Sequence, residues 1–140
     1  MVLMTTQELT SRHHCVYSLK YHLVLVTKYR RRCLTQPMLD VIFALAKERA
    51  LAWDGVLIEA GGEADHVHLL IELPPHQVVS AFVNALKTNT SRILRRDFGR
   101  ELEGVYHGPA LWSRSYCVIS AGDAPLDALK AYIQQQDAPE

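Results

Sequence analysis

The spacing of apolar positions switches between period two and period 3.6 along the chain, and the switches lay out its elements. Residues 16–28 (Val-Tyr-Ser-Leu-Lys-Tyr-His-Leu-Val-Leu-Val-Thr-Lys) are rich in β-branched and aromatic side chains around a nearly continuous apolar centre. That predicts a central strand buried on both faces. Pro37 then stands where a helix first turn accepts it. Leu39, Ile42, Phe43, Ala46 and Ala50 follow at helical spacing, up to a stop near Trp53-Asp54-Gly55. Residues 56–60 read as a second strand, Gly61-Gly62 as a turn, and residues 65–73 as a third strand paired with the second in a hairpin. Pro74-Pro75 closes it. A long helix carries Val79, Phe82, Val83, Leu86, Ile93 and Leu94 on one stripe, with the polar, basic run 87–92 on its other surface. Residues 99–110 read as a loop and 115–120 as a last strand. Asp123 suits an N-cap and Pro125 the first turn of a final helix, 123–137.

The order is β-α-β-β-α-β plus a C-terminal helix, the ferredoxin-like, RRM-like α+β arrangement. It predicts an antiparallel sheet with two helices on one face and the other face open. A chain of 140 residues makes one domain, 1–140, with residues 1–12 expected to be flexible.

Composition narrows the class. The chain is 49% hydrophobic and 21% charged, enough apolar material for a core and too little charge for disorder. No apolar run nears the ~20 residues that span a bilayer. The first residues lack the pattern of a signal peptide, so the expected compartment is the cytoplasm. Cys15, Cys33 and Cys117 are odd in number and far apart, which argues against a disulfide framework and for small buried thiols.

Fifteen basic and fifteen acidic residues cancel, but they do not mix evenly. Lys28, Arg30, Arg31 and Arg32 cluster in one run, and Lys87, Arg92 and Arg95 in another. A neutral chain can present a basic face, and phosphate binding needs only the face.

Residues 65–70 read Asp-His-Val-His-Leu-Leu. On a strand, residues two apart share a face. His66 and His68 therefore project together on the open side, while Val67, Leu69 and Ile71 point to the core. Two adjacent imidazoles are half of a metal site. On the final helix, Tyr132 and Gln136 lie four apart and present to one partner. A phenol with pKa ~10 is a weak nucleophile unless a cation or base assists it.

Four segments together, in their order and spacing, carry a resemblance over residues 16–136. They are Tyr21-His22 with Lys28-Tyr29-Arg30, then Asp65-His66-Val67-His68-Leu69-Leu70, then Leu111-Trp112-Ser113-Arg114-Ser115-Tyr116, then Tyr132-Ile133-Gln134-Gln135-Gln136. The chain resembles the small single-tyrosine HUH transposases (TnpA-like) of insertion sequences that move as single-stranded DNA. It departs in having Ala64 where the family often has Pro before Asp-His, a change in the turn and not in the ligands. The resemblance implies that His66, His68 and Gln136 hold a divalent metal, Mg²⁺ or Mn²⁺. It implies Tyr132 as the nucleophile that cleaves single-stranded DNA at hairpin-marked element ends through a 5′-phosphotyrosine. It implies a homodimer with active sites shared between subunits. Lys28, Arg30, Arg31, Arg32, Lys87, Arg92 and Arg95 are the expected phosphate contacts.

Two other readings stay open on the sequence. One is a relative co-opted for chromosomal repeated palindromes. The other is a non-catalytic single-stranded nucleic-acid-binding module, which would stack bases on strand-face aromatics, with Tyr17 and Tyr21 as candidates.

Overall fold

The computed structural model describes residues 9–12, 14–105, 110–121 and 132–135. Its strands are β1 (Thr10–Arg12), β2 (Cys15–Tyr17), β3 (Lys20–Thr27), β4 (Val56–Glu63), β5 (His66–Glu72) and β6 (Trp112–Ser120). Its helices are α1 (Gln36–Ala52), α2 (Val79–Asp97) and the short α3 (Gly99–Leu102). Residues 132–135 are helical and belong to the expected final helix, whose remaining residues lie outside the described ones.

Four strands form one antiparallel sheet in the order β4-β5-β3-β6. That is the expected ferredoxin-like α+β arrangement. β3 is central, and its Leu23–Thr27 stretch is buried throughout, as a near-continuous apolar run requires. In the β3–β5 ladder Leu23 faces Leu69, Val24 faces His68, Leu25 faces Val67 and Val26 faces His66. A slip of one residue would turn both histidines into the core, so apolar burial fixes this register.

One face of the sheet buries Leu23, Leu25, Val67, Leu69 and Ile71 against Met38, Ile42 and Ala46 of α1 and Phe82, Leu86 and Leu94 of α2. Each fully buried large aliphatic side chain contributes about 1.5–3 kcal/mol by leaving water. α1 starts where the Thr35 hydroxyl accepts from the Met38 N–H at 3.4 Å, with Pro37 in its first turn. It ends at Trp53, as the apolar stripe predicts.

Several elements depart from the sequence expectation. The first strand is broken: Cys15–Tyr17 folds back on Thr10–Arg12 as a separate two-stranded ribbon, and only Lys20–Thr27 joins the main sheet. Gly61 and Gly62 are not a turn but strand residues of β4, paired with His68 and Val67. A Cβ on Gly62 would lie 2.7 Å from the His66 carbonyl oxygen, so the core face needs glycine there. Thr90, inside the polar run of α2, is buried. It donates to the Leu86 carbonyl at 2.8 Å and accepts from the Trp112 indole at 2.9 Å, tying α2 to β6. The supposed loop after α2 contains α3, anchored by buried Leu102. The three thiols are free but partly exposed rather than buried.

Candidate active site

The open face carries the candidate residues. His66 and His68 of β5 point away from the core, while Val67, Leu69 and Ile71 between and beyond them are fully buried. In register on the same face stand His22, Val24 and Val26 of β3, then Cys117 and Ile119 of β6. Val24 and Val26 are buried beneath Tyr132 and Ile133, which pack on them together with Cys117 and Ile119. Tyr132 therefore lies on the two valines that pair directly with His68 and His66. Its hydroxyl donates to the Ser115 Oγ at 3.3 Å. Gln136 lies outside the described residues.

His66 is held by its neighbour. Its Nδ1 lies 2.9 Å from Asp65 Oδ1, so Nδ1–H donates to the carboxylate and Nε2 is the ring nitrogen that this contact leaves unused. Asp65 is itself buried and takes the Arg30 Nε at 3.2 Å on its other oxygen. Burial alone would push the Asp65 carboxyl up, but the His66 hydrogen bond and the charges of His66, Arg30 and Arg32 outweigh it and hold the group below its ordinary value. Arg30 reaches Asp65 from a 3-10 turn after β3 in which Tyr29 and Arg30 both adopt positive φ, 59° and 54°. Non-glycine residues there cost roughly 1–3 kcal/mol each. The surrounding contacts hold the turn: Lys28 N–H donates to the Leu111 carbonyl at 2.9 Å, and the Thr27 hydroxyl to the Arg31 carbonyl at 2.7 Å.

His68 meets a different partner. Its Nε2 lies 2.9 Å from His22 Nδ1, and the two rings lie edge to edge with centroids 5.1 Å apart and planes 19° from parallel. Burial, then the neighbouring His22, lowers the His68 pKa, with Glu59 opposing. A neutral imidazole is the form that ligates metal. The Tyr132 phenol is pushed up, first by burial and also by Cys117, against the Ser115 hydrogen bond. It is protonated near neutrality and needs help to act as a nucleophile.

The donor chemistry fits a divalent ion. A histidine whose far edge is locked by a carboxylate is a common outer-shell arrangement of metal sites. Two imidazoles alone bind hard cations loosely, so oxygen donors must complete the shell. Among the described residues no three His, Cys, Asp or Glu side chains form a metal-holding group by themselves.

The basic residues divide. Arg30 serves Asp65, and Arg31 donates to the Val105 carbonyl at 2.6 Å. Lys87 donates to the Ser113 carbonyl at 2.8 Å over the Tyr116 ring, and burial lowers its pKa. Lys28 lies 5.4 Å from the Tyr29 ring centre, and Arg32 is exposed. Arg92 and Arg95 line a groove of about 550 Å³ between α2 and the start of β6, against Leu111 and Trp112. Tyr21 packs toward the helices and Tyr17 is buried, so neither offers a ring on the open face.

A sequence profile of the family described as Transposase IS200 like matches residues 15–136. The chain belongs to this family. It is 34% identical over 124 residues to the transposase for insertion sequence element IS200 of Salmonella typhimurium, covering 88% of this chain and 80% of that protein. It is 30% identical over 125 residues to the ISDra2 transposase TnpA of Deinococcus radiodurans, covering 89% of each. A solved structure of a transposase candidate from D. radiodurans R1 superposes with a TM-score of 0.83 at 31% identity, over 92% of this chain and 98% of that one. A REP-associated tyrosine transposase bound to a REP hairpin matches with a TM-score of 0.56 at 10% identity, over 89% and 67%, a likeness of fold alone. Transposases cut and rejoin DNA, so membership makes this chain an enzyme of that class. Among the described residues no helix is long and apolar enough to cross a membrane.

In the sequence, His22 and Asp65 stand out only as parts of longer motifs. Asp65 was open to notice, because a carboxylate immediately before a metal-type histidine is a ready outer partner. His22 was hidden within an apolar strand, and only the ladder brings it to His68.

Proposed function

We propose that this IS200-like transposase cleaves and rejoins single-stranded DNA at hairpin-marked element ends, with Tyr132 as nucleophile and a Mg²⁺ or Mn²⁺ ion held by His66, His68 and Gln136. The observation that carries the reading is the shared seat: Tyr132 packs on Val24 and Val26, the residues paired with His68 and His66. Nucleophile and imidazoles thus occupy one face of one sheet, a strand apart.

The phenolic oxygen of Tyr132 bonds to the scissile phosphorus, and the bond to the 3′ oxygen breaks. That oxygen leaves as a 3′-hydroxyl and the 5′ end stays on the tyrosine. Attack by a 3′-hydroxyl on the phosphotyrosine reverses the exchange, so bond energy is conserved without ATP. An ion at the histidines would polarise the phosphoryl oxygens and offset their developing charge. Asp65 keeps the His66 proton on Nδ1, which leaves Nε2 for ligation. The packing of Ile133 and Tyr132 on the valine floor limits where the phenol can stand. Arg92 and Arg95, at the α2 groove, and exposed Arg32 are the basic side chains best placed to meet DNA phosphates. A homodimer is part of this reading and is checked by light scattering with and without hairpin DNA.

The binding-module reading loses its support, because Tyr17 and Tyr21 are not on the open face. The insertion-sequence reading is favoured over a co-opted one by the 34% identity to the IS200 transposase. The test is incubation with labelled single-stranded DNA bearing the ends that flank the gene, with Mg²⁺ or Mn²⁺. A denaturant-stable protein–DNA adduct that is lost in His66→Ala supports the reading. Tight hairpin binding without any adduct would reduce the protein to a binding module.

A further inference from the structure

We infer that His22 is the positioning residue for His68, playing for that imidazole the part Asp65 plays for His66. The inference rests on the reading of His66 and His68 as metal ligands. The geometry makes the case. His22 Nδ1 and His68 Nε2 are 2.9 Å apart, so one ring donates to the other. If His22 were the donor, the neutral His68 ring would carry its own proton on Nδ1, and its one lone pair would be spent on His22. His68 would then have nothing to offer an ion. With His68 as donor, its Nε2–H is satisfied by His22 and its Nδ1 lone pair is open. Metal-ligating histidines commonly donate their other ring N–H to a fixed partner, which sets tautomer and ring orientation.

Two features make His22 a firm partner. It stands on β3, the central strand, facing Leu70 in the ladder, two rungs from the Val24–His68 pair and on the same face of the sheet. The two ring planes lie 19° from parallel with centroids 5.1 Å apart, an edge-to-edge arrangement in which the hydrogen bond fixes the plane of the His68 ring as well as its edge. The other side of His68 is open. Gly61 stands directly opposite it on β4, and a Cβ there would meet nothing within 4 Å. His68 is thus held from β3 and accessible from β4.

The experiment measures Mn²⁺ affinity of the full chain by calorimetry for wild type, His22→Ala and His22→Gln, with thermal melts to confirm folding. The expected result is a loss of roughly ten- to hundredfold in His22→Ala, the range for removing an outer-shell partner. Partial recovery is expected in His22→Gln, whose amide oxygen can accept from His68. Nitrogen NMR of the ion-free wild type should place the His68 proton on Nε2, a readout that packing alone would not set. Unchanged affinity in a folded His22→Ala overturns the inference while leaving the metal reading intact. Tighter binding overturns it too, and would make His22 a competitor for Nε2. Failure of the wild type to bind Mn²⁺ overturns both. Should His22→Ala not fold, His22→Gln and the wild-type tautomer decide, and a proton on Nδ1 of His68 sinks the inference.

Discussion

Val24 stands directly opposite His68 in the β3–β5 ladder, and it belongs to the two-valine patch against which Tyr132 packs. One apolar residue on the central strand therefore ties the seat of Tyr132 to the imidazole pair. β3 also pairs with β6, whose Cys117 faces Val24 and completes the floor under the phenol. The site is a property of the sheet's open face, and the helices on the other face set its register through the core.

Asp65 links acid stability to the proposed metal site. Its carboxyl is held below the ordinary value by His66 and Arg30 in spite of burial. A depressed carboxyl stabilises the fold fully above its unfolded pKa of about 3.9, and that contribution is lost as pH falls through the folded value. Melting curves of wild type should therefore decline as pH drops below about 4, and Asp65→Asn should lack that part of the decline. At neutral pH the same variant should bind Mn²⁺ at least about tenfold more weakly, because an amide holds His66 less firmly. Equal pH profiles for the two proteins would contradict this role.

Adjacent glycines of β4 should behave in opposite ways. Gly62→Ala brings a Cβ to 2.7 Å from the His66 carbonyl oxygen and 3.2 Å from Leu39. Overpacking of this kind costs about 1–3 kcal/mol, visible as a lower melting temperature. Gly61→Ala meets nothing within 4 Å and should change stability by no more than about 0.5 kcal/mol. A bulky residue at 61 should instead crowd His68 and weaken Mn²⁺ binding without unfolding the chain.

Arg92 and Arg95 should act on DNA affinity and not on cleavage once DNA is bound. Each phosphate contact removed lowers the salt dependence of binding by about one unit of slope. Hairpin binding titrated at several salt concentrations should show a shallower slope in Arg92→Ala and in Arg95→Ala. Lys87→Ala should cost stability as well, because its ammonium already serves the Ser113 carbonyl.

Much of this arrangement was legible in the chain. The alternation through His66, Val67, His68 and Leu69 gives the facing of both histidines, because a strand has period two and only one face could be core. The α1 stripe and its stop at Trp53 follow from local signals in the same way. What was not legible depends on partners distant in sequence. Tyr17 pairs with Thr10 in a separate ribbon, and nothing in residues 16–28 marks the break. Thr90 reads as polar surface until Trp112, 22 residues on, donates to it. His22 reads as one polar residue in an apolar strand, and its partner is 46 residues away. Gly61-Gly62 reads as a turn because glycine pairs usually are, whereas here one glycine avoids a backbone clash and the other leaves space beside His68.

The central claim is that Tyr132 forms the covalent bond to DNA. The most direct measurement is mass spectrometry of the protein–DNA adduct after protease and nuclease digestion, alongside the same reaction with Tyr132→Phe. That substitution removes only the hydroxyl and its 3.3 Å bond to Ser115, so the fold should persist. The account predicts a 5′-phosphoryl group on Tyr132 in the wild type and no adduct in the variant. An adduct that survives in Tyr132→Phe, or a linkage mapped to another residue, would contradict it.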